Sequence, residues 1–170
     1  PMDYQKIIVD EPRPMVRRIT LNRPEKRNPL SNELRTEMFH ALEEADKNGE
    51  IRVSIIRGAG PCFSAGYDLK SDTSQDQPFY TAGGLASWPR HVVEGFFRMW
   101  DMAKPIIAQV HGYCLAGATE LASVCDFRII TEDCQVGYPP VRAMGTMDMM
   151  WAPWFLPPAK ARLFAYTGDA

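Results

Sequence analysis

The sequence predicts an α/β protein built around a parallel sheet. Three observations carry this: short β-branched runs alternate with runs whose apolar residues recur at helical spacing, Gly- and Pro-rich breaks separate them, and no internal repeat or low-complexity tract interrupts the alternation. With 170 residues, 45% hydrophobic and 24% charged, the chain is long enough to bury one core, and a single domain over 1–170 is expected.

Tyr4 to Val9 and Met15 to Leu21 read as two strands joined by a turn at Asp10-Glu11-Pro12-Arg13-Pro14, with Met15, Ile19 and Leu21 on one face. The polar loop from Asn22 to Pro29 leads to Ser31, an N-cap for an amphipathic helix over residues 32–47, in which Leu34, Met38, Ala41, Leu42 and Ala45 recur at helical spacing. Val53 to Arg57 is a compact strand, broken by Gly58-Ala59-Gly60-Pro61. Ser71 to Ser87 has the composition of a surface loop that would suit a lid. Val92, Val93, Phe96, Phe97 and Trp100 mark a helix that Lys104-Pro105 ends. A strand at Ile106 to Val110, a helix at Gly117 to Cys125, a strand at Phe127 to Ile130 and a helix at Ala159 to Thr167 complete the pattern.

The formal charge is only -2 and no basic block is present, which argues against a nucleic-acid partner. Cys62, Cys114, Cys125 and Cys134 form no C-x-x-C pair and read as reduced core thiols rather than metal ligands. No apolar run approaches the roughly 20 residues that span a bilayer, so a cytoplasmic protein with no membrane partner is expected.

The chemistry concentrates in two glycine-bearing segments, Cys62 to Lys70 and His111 to Glu120, each following a strand-like run. Each is able to aim a backbone N–H at one shared oxygen, and preorganised donors of that kind stabilise a developing oxyanion. Gly117 opens a helix, whose unpaired N–H groups and dipole favour negative charge. Ser64 lacks the first glycine of a G-x-S-x-G elbow and has no recognisable histidine base, so a serine hydrolase is not indicated. His91 reads as a surface residue or a pocket acid, His40 as surface and His111 as structural.

Thr20-Leu21-Asn22-Arg23-Pro24-Glu25, Phe63 to Leu69, Lys104 to Ala108, Gly112-Tyr113 through Glu120-Leu121-Ala122, and Cys125 to Arg128 together resemble the signatures of the enoyl-CoA hydratase/isomerase (crotonase) family. The resemblance covers nearly the whole chain. It implies a crotonase-like α/β fold of β-β-α turns wound into a superhelix, with parallel sheets and flanking helices. It also implies an acyl-CoA thioester substrate, no cofactor beyond the coenzyme A of that substrate, no metal, and a homotrimer or dimer of trimers. Family members continue past the point where this chain stops, through helices that finish the pocket, so this chain is expected to lack them.

By the same resemblance, the backbone N–H groups of Tyr67 and Gly117 form the oxyanion hole that holds a thioester enolate. Ala65, Gly66, Tyr67, Asp68, Leu69 and Lys70 line the substrate site, and Lys26, with Arg23 and Arg27, is a candidate for the phosphates. A substitution of the Tyr67 side chain is expected to alter shape more than charge stabilisation. Glu120, one turn beyond Gly117, matches the first of two glutamates that hydratases use on water; partial burial would raise its pKa into a useful range. The second glutamate is matched by Pro140, which has no titratable group. Asp148, eight residues on, resembles in position an acid that dienoyl-CoA isomerases use in proton shuttling; the alternative is an aspartate at a helix N-terminus, with Thr146. Met144, Met147, Met149, Met150, Trp151, Trp154 and Phe155 line an acyl pocket or belong to the core or an oligomer interface. The expected activity is that of an acyl-CoA lyase of hydratase type, with isomerase as the alternative, followed by a catalytically reduced acyl-CoA-binding protein and a hydrolase.

Overall fold

A computed structural model describes residues 2–71 and 90–170. Its centre is a five-stranded sheet in the order β1-β2-β3-β4-β6. Strands β1 (Ile7–Arg13) and β2 (Val16–Leu21) form an antiparallel hairpin at one edge. From β2 onward the neighbours are parallel: β3 (Val53–Gly58), β4 (Ile106–Val110) and β6 (Phe127–Ile130). The expected parallel sheet is therefore present, with one antiparallel edge.

The first strand runs four residues further than its sequence suggests, because Asp10 and Arg13 stay paired across an irregular register. The reversal falls on Pro14-Met15, where Met15 adopts φ +68°. That conformation takes Met15 out of the strand and leaves it 56% exposed, whereas Ile19 and Leu21 are fully buried as expected. Alternation is clean in β3, which buries Ser54, Ile56 and Gly58, and in β4, which buries Ile106, Ala108 and Val110.

Helix α1 (Asn32–Lys47) has the expected bounds, capped by Ser31, whose hydroxyl accepts from the Leu34 N–H at 3.2 Å. Leu34, Met38, Ala41, Leu42 and Ala45 pack into the core. At the other end Lys104 Nζ donates to the carbonyls of Ala45 and Asn48, a cation placed on a helix C-terminus. Lys104 thus anchors α1 rather than ending the next helix: a π-turn over Arg90–Glu94 runs into α2 (Gly95–Trp100), which stops four residues earlier than expected. All of the expected Ser71 to Ser87 surface loop except Ser71 lies outside the described residues.

Helix α3 (Gly117–Val124) is buried on every face. Its C-terminal carbonyls of Ser123 and Cys125 accept from Arg128 at 3.1 and 2.9 Å. A second sheet of two short parallel strands, β5 (Tyr113–Leu115) and β7 (Gln135–Gly137), stands beside its start. These strands have no clear sequence signature, being three residues each and held by the turns around them. Two more helices, α4 (Ala152–Phe155) and α5 (Pro158–Thr167), form a small second cluster with Tyr138 and Met147. Cys62, Cys114 and Cys125 are buried free thiols, while Cys134 is half-buried. Among the described residues no helix is long and apolar enough to cross a membrane.

Candidate active site

The first glycine segment is stitched into place from two sides. Ser64 pairs with β5, its N–H donating to Tyr113 O at 3.1 Å and its carbonyl accepting from the Leu115 N–H. On the other side Ala65 donates to Arg27 O, and Gly66 O accepts from the Leu30 N–H at 2.8 Å. Asn28 is the hub of this loop, although the sequence marks it only as one residue of the polar stretch from Asn22 to Pro29. Fully buried, its amide donates to Ala59, Cys62 and Phe63 carbonyls while its Oδ1 accepts from the Arg23 N–H. The Ser64 hydroxyl is likewise committed, donating to Asn28 O and accepting from the Gly66 N–H, an arrangement of support rather than nucleophilic attack.

The second segment meets the first at Ala116-Gly117. Ala116 sits at φ +52°, ψ -128°, a costly conformation for a residue with a Cβ, and its N–H donates to Gly137 O at 2.9 Å. Gly66, at φ +106°, approaches so closely that a Cβ there would lie 2.7 Å from Ala116 Cβ and 3.3 Å from the Gly117 nitrogen. The Tyr67 ring rests on the Gly117 Cα; a Cβ at 117 would come within 2.6 Å of Tyr67 Cδ2 and overlap its neighbours. Both glycines are thus required by close approach, and the Gly117 N–H, first in its helix, has no intrahelical acceptor.

Glu120 is completely buried. Tyr67 donates its hydroxyl to Glu120 Oε2, while Oε1 accepts from the Met149 N–H at 3.3 Å and the Tyr138 hydroxyl at 3.4 Å. Burial pushes the carboxyl from its ordinary 4.5 up to about 7; the Tyr67 and Met149 hydrogen bonds pull against this and the nearby Asp148 charge adds to it. Burial, then the Glu120 charge and hydrogen bond, raise the Tyr67 phenol well above its usual range, opposed by Arg35. Tyr138 is raised for the same first reason, with Glu120 and Asp148 adding to it. Neither tyrosine side chain announced this role in the sequence, since a polar aromatic is recognised as a partner only once its acceptor is placed.

A cavity of about 380 Å³ lies in front of these groups, lined by Ala65, Tyr67, Leu69, Ala116, Tyr138, Pro140, Met144, Thr146 and Asp148 among others. Asp148 is exposed and also lines a neighbouring apolar cavity of about 710 Å³ with Val93, Phe97, Trp100, Met149, Met150 and Trp154. No helix starts at Asp148: α4 begins at Ala152 with Trp151 before it, so the helix-cap reading of Asp148 does not hold. Met147 and Met149 are buried, whereas Met150 and Trp154 face the open side.

The phosphate candidates separate. Arg23 forms an ion pair with Asp68 at 2.6 Å, and Asp68 also accepts from the Lys70 N–H. Burial works to raise the Asp68 carboxyl, but these hydrogen bonds and the Arg23 and Lys26 charges hold it below its usual range. Arg27 stacks over the Tyr113 ring at 5.6 Å, and Lys26 is exposed on a short 3₁₀ turn. Leu69 and Lys70 are exposed. His91 is neither surface residue nor pocket acid: it is fully buried, edge-on to Phe39 and 2.9 Å from Arg35 through Nδ1, and burial, then Arg35, push it down to about 3. His40 is half-buried and hydrogen-bonded to the Tyr4 hydroxyl, and His111 Nε2 meets Gly60 O at 2.9 Å. Among the described residues no group of three or more His, Cys, Asp or Glu side chains is placed to hold a metal ion.

The raised Glu120 carboxyl makes a stability prediction. Below pH 4.5 it is protonated in both folded and unfolded chains and its neutral form is tolerated at no cost. As pH rises, the unfolded chain ionises first and the folded chain only near 7, so stability falls across that window by about 3 kcal/mol. Urea unfolding at pH 5 and pH 8 should show most of this loss, about 2.5 kcal/mol, in the wild type relative to Glu120→Gln. The comparison cancels His91, which acts oppositely, costing stability as the unfolded chain gains a proton below about 6.5.

Known proteins bear on this arrangement. A family model described as enoyl-CoA hydratase/isomerase matches residues 12–168. A mevalonyl-coenzyme A hydratase of Aspergillus fumigatus is 37% identical over 81% of this chain and 49% of its own length. A mitochondrial Delta(3,5)-Delta(2,4)-dienoyl-CoA isomerase of Mus musculus is 31% identical over 77% of this chain and 42% of its own. Among solved structures, an enoyl-CoA hydratase/isomerase from Xanthobacter autotrophicus superposes with a TM-score of 0.85 at 36% identity, over 98% of this chain and 61% of that one. An enoyl-CoA hydratase from Mycobacterium smegmatis gives 0.86 at 29%, over 99% and 62%. The chain spans about half the length of the curated relatives it matches. Its fold is the crotonase fold, and the chain belongs to the enoyl-CoA hydratase/isomerase family.

Proposed function

We propose that this chain carries the enolate-forming site of an acyl-CoA lyase of the enoyl-CoA hydratase type. The observation that carries the reading is a fully buried carboxyl, Glu120, poised near neutral pH beside a cavity whose wall includes Asp148. A group with that pKa gives and takes a proton at physiological pH with little penalty in either direction. The Tyr67 and Gly117 backbone N–H groups are the donors for the thioester oxygen, supported by the close approach of Gly66 to Gly117.

The proposed hydration balances with two carboxyls. Asp148 accepts a proton from water as its oxygen bonds to the β-carbon, and the electrons of the double bond move onto the thioester oxygen as an enolate. A proton from Glu120 then reaches the α-carbon, and exchange with solvent restores both groups. Asp148 suits the water-facing part because it is exposed. The apolar cavity bearing Phe97, Trp100 and Trp154 would take the acyl tail. Lys26 is the phosphate candidate with the fewest competing contacts, since Arg23 and Arg27 are engaged elsewhere.

A second reading, isomerisation of the double bond, is favoured by Pro140 standing where a second glutamate would hold water. It needs only the transfer of one proton between carbons. Incubating the chain with enoyl-, dienoyl- and hydroxyacyl-CoA thioesters and weighing the products separates the readings: gain of one water supports hydration and an isobaric shift supports isomerisation. Acyl-CoA binding without turnover of any of them would overturn both in favour of a binding protein. The homotrimer or dimer of trimers implied by the resemblance is part of the same proposal.

A further inference from the structure

Glu120 does not line the cavity in front of it. It is 0% exposed, and both of its oxygens already accept hydrogen bonds from Tyr67, Tyr138 and Met149. A proton passing between that carboxyl and a molecule in the cavity must cross a group that touches both. Among the described residues two side chains do so, Tyr67 and Tyr138. Tyr67 is the better conductor on three grounds: its hydroxyl makes the shorter hydrogen bond, its ring lies on Gly117, and it belongs to the segment that would present the thioester.

We propose that the Tyr67 hydroxyl is a catalytic proton relay, carrying protons between the α-carbon of a thioester in the cavity and Glu120 Oε2 behind it. The proposal rests on the enolate-forming reading of the site and adds a role for the side chain beyond the shape expected of it. In the deprotonating direction the Cα–H bond breaks and its electron pair passes into the thioester as an enolate. Tyr67 Oη takes that proton as its own passes to Glu120 Oε2. The phenol is regenerated and the carboxylate becomes a carboxylic acid. Reversal delivers a proton to carbon.

The surroundings fit a group that is briefly polarised. The Arg35 guanidinium, itself fully buried, lies 5.2 Å from the centre of the Tyr67 ring, where a cation favours negative charge on the phenol oxygen. Among the described residues Glu120, Asp148 and Tyr138 are further titratable groups around the relay, and Glu120 and Asp148 disfavour a standing phenolate. A short-lived transfer, with the charge resting on Glu120 rather than on Tyr67, is consistent with both influences.

The test uses the 170-residue chain and a saturated probe, butyryl-CoA, in deuterium oxide, with α-proton exchange followed by mass and NMR. Wild type is expected to catalyse exchange. Tyr67→Phe, which keeps the ring on Gly117 and the backbone donor, should lower the exchange rate by about 100-fold or more with probe affinity changed less than about threefold. Tyr138→Phe should lower it by less than about tenfold. Fluorinated tyrosines at position 67 retain the hydrogen bond while grading phenol acidity, and the rate should follow that acidity. Equal exchange by wild type and Tyr67→Phe overturns the relay and leaves the enolate reading intact. So does a rate indifferent to fluorination, which would make Tyr67 a positioning residue. No exchange by wild type with butyryl-CoA bound overturns the enolate reading and the relay with it.

Discussion

Glu120→Gln is expected to lower turnover of the accepted acyl-CoA by about 10²–10⁴-fold, the range for losing a positioned general acid or base. The substitution is nearly isosteric, and its amide oxygen can still accept from Tyr67 or from the Met149 N–H. Packing should therefore survive, and affinity for the thioester should change little. What is lost is, among the described residues, the titratable group that combines complete burial, a pKa near 7 and contact with the cavity wall. Asp148→Asn, by contrast, removes an exposed carboxyl and should leave stability unchanged while slowing turnover. Steady-state kinetics and binding measured on each variant check the point. Near-wild-type rates in both would remove the acid-base pair from the mechanism, and a rate lost only with Glu120 would leave Asp148 outside it.

Gly66→Ala is expected to cost about 3 kcal/mol or more of folding stability, combining an unfavourable φ with overlap of its Cβ on Ala116 and the Leu115 carbonyl. Against a total of about 5–15 kcal/mol for a domain, that is a large fraction. Neither neighbour has room to yield: Ala116 is held through its N–H to Gly137, and Leu115 lies in β5. The same collision would move the Gly66-Tyr67 peptide away from Gly117, so activity should fall in molecules that remain folded. Gly49 is the control. It is exposed, has ordinary φ, and a Cβ there meets nothing within 4 Å, so Gly49→Ala should change stability by less than about 0.5 kcal/mol. Urea unfolding of the three proteins decides the matter, and equal midpoints would show that the two segments are not tightly apposed.

Residues whose environment is set by near neighbours in the chain are legible in the sequence, and those set by distant partners are not. The helix from Asn32 to Lys47 was visible because cap, apolar spacing and exit are all local, and helix formation depends first on local terms. The two glycine segments were visible for a similar reason: their composition and their position after strands are local facts. Met15 and the end of α2 were misplaced because turn geometry and the anchoring of Lys104 on α1 depend on partners distant in the chain. His91 is the sharpest case. Its neighbours allowed a surface or a pocket, and only the packing of α2 against α1 makes it a buried, neutral ring beside Arg35.

Local patterns along the chain are enough to mark an α/β protein with crotonase signatures, with Glu120 one turn beyond a glycine-led helix start and a proline at the expected second acid. That Glu120 is sealed from the cavity, that Tyr67 and Tyr138 stand between them, and that Asp148 joins two cavities emerges from the folded chain. Spacing along one helix sets which way a side chain points. Desolvation and hydrogen-bond partners, which set what its proton does, are supplied by segments that meet only when the chain has folded.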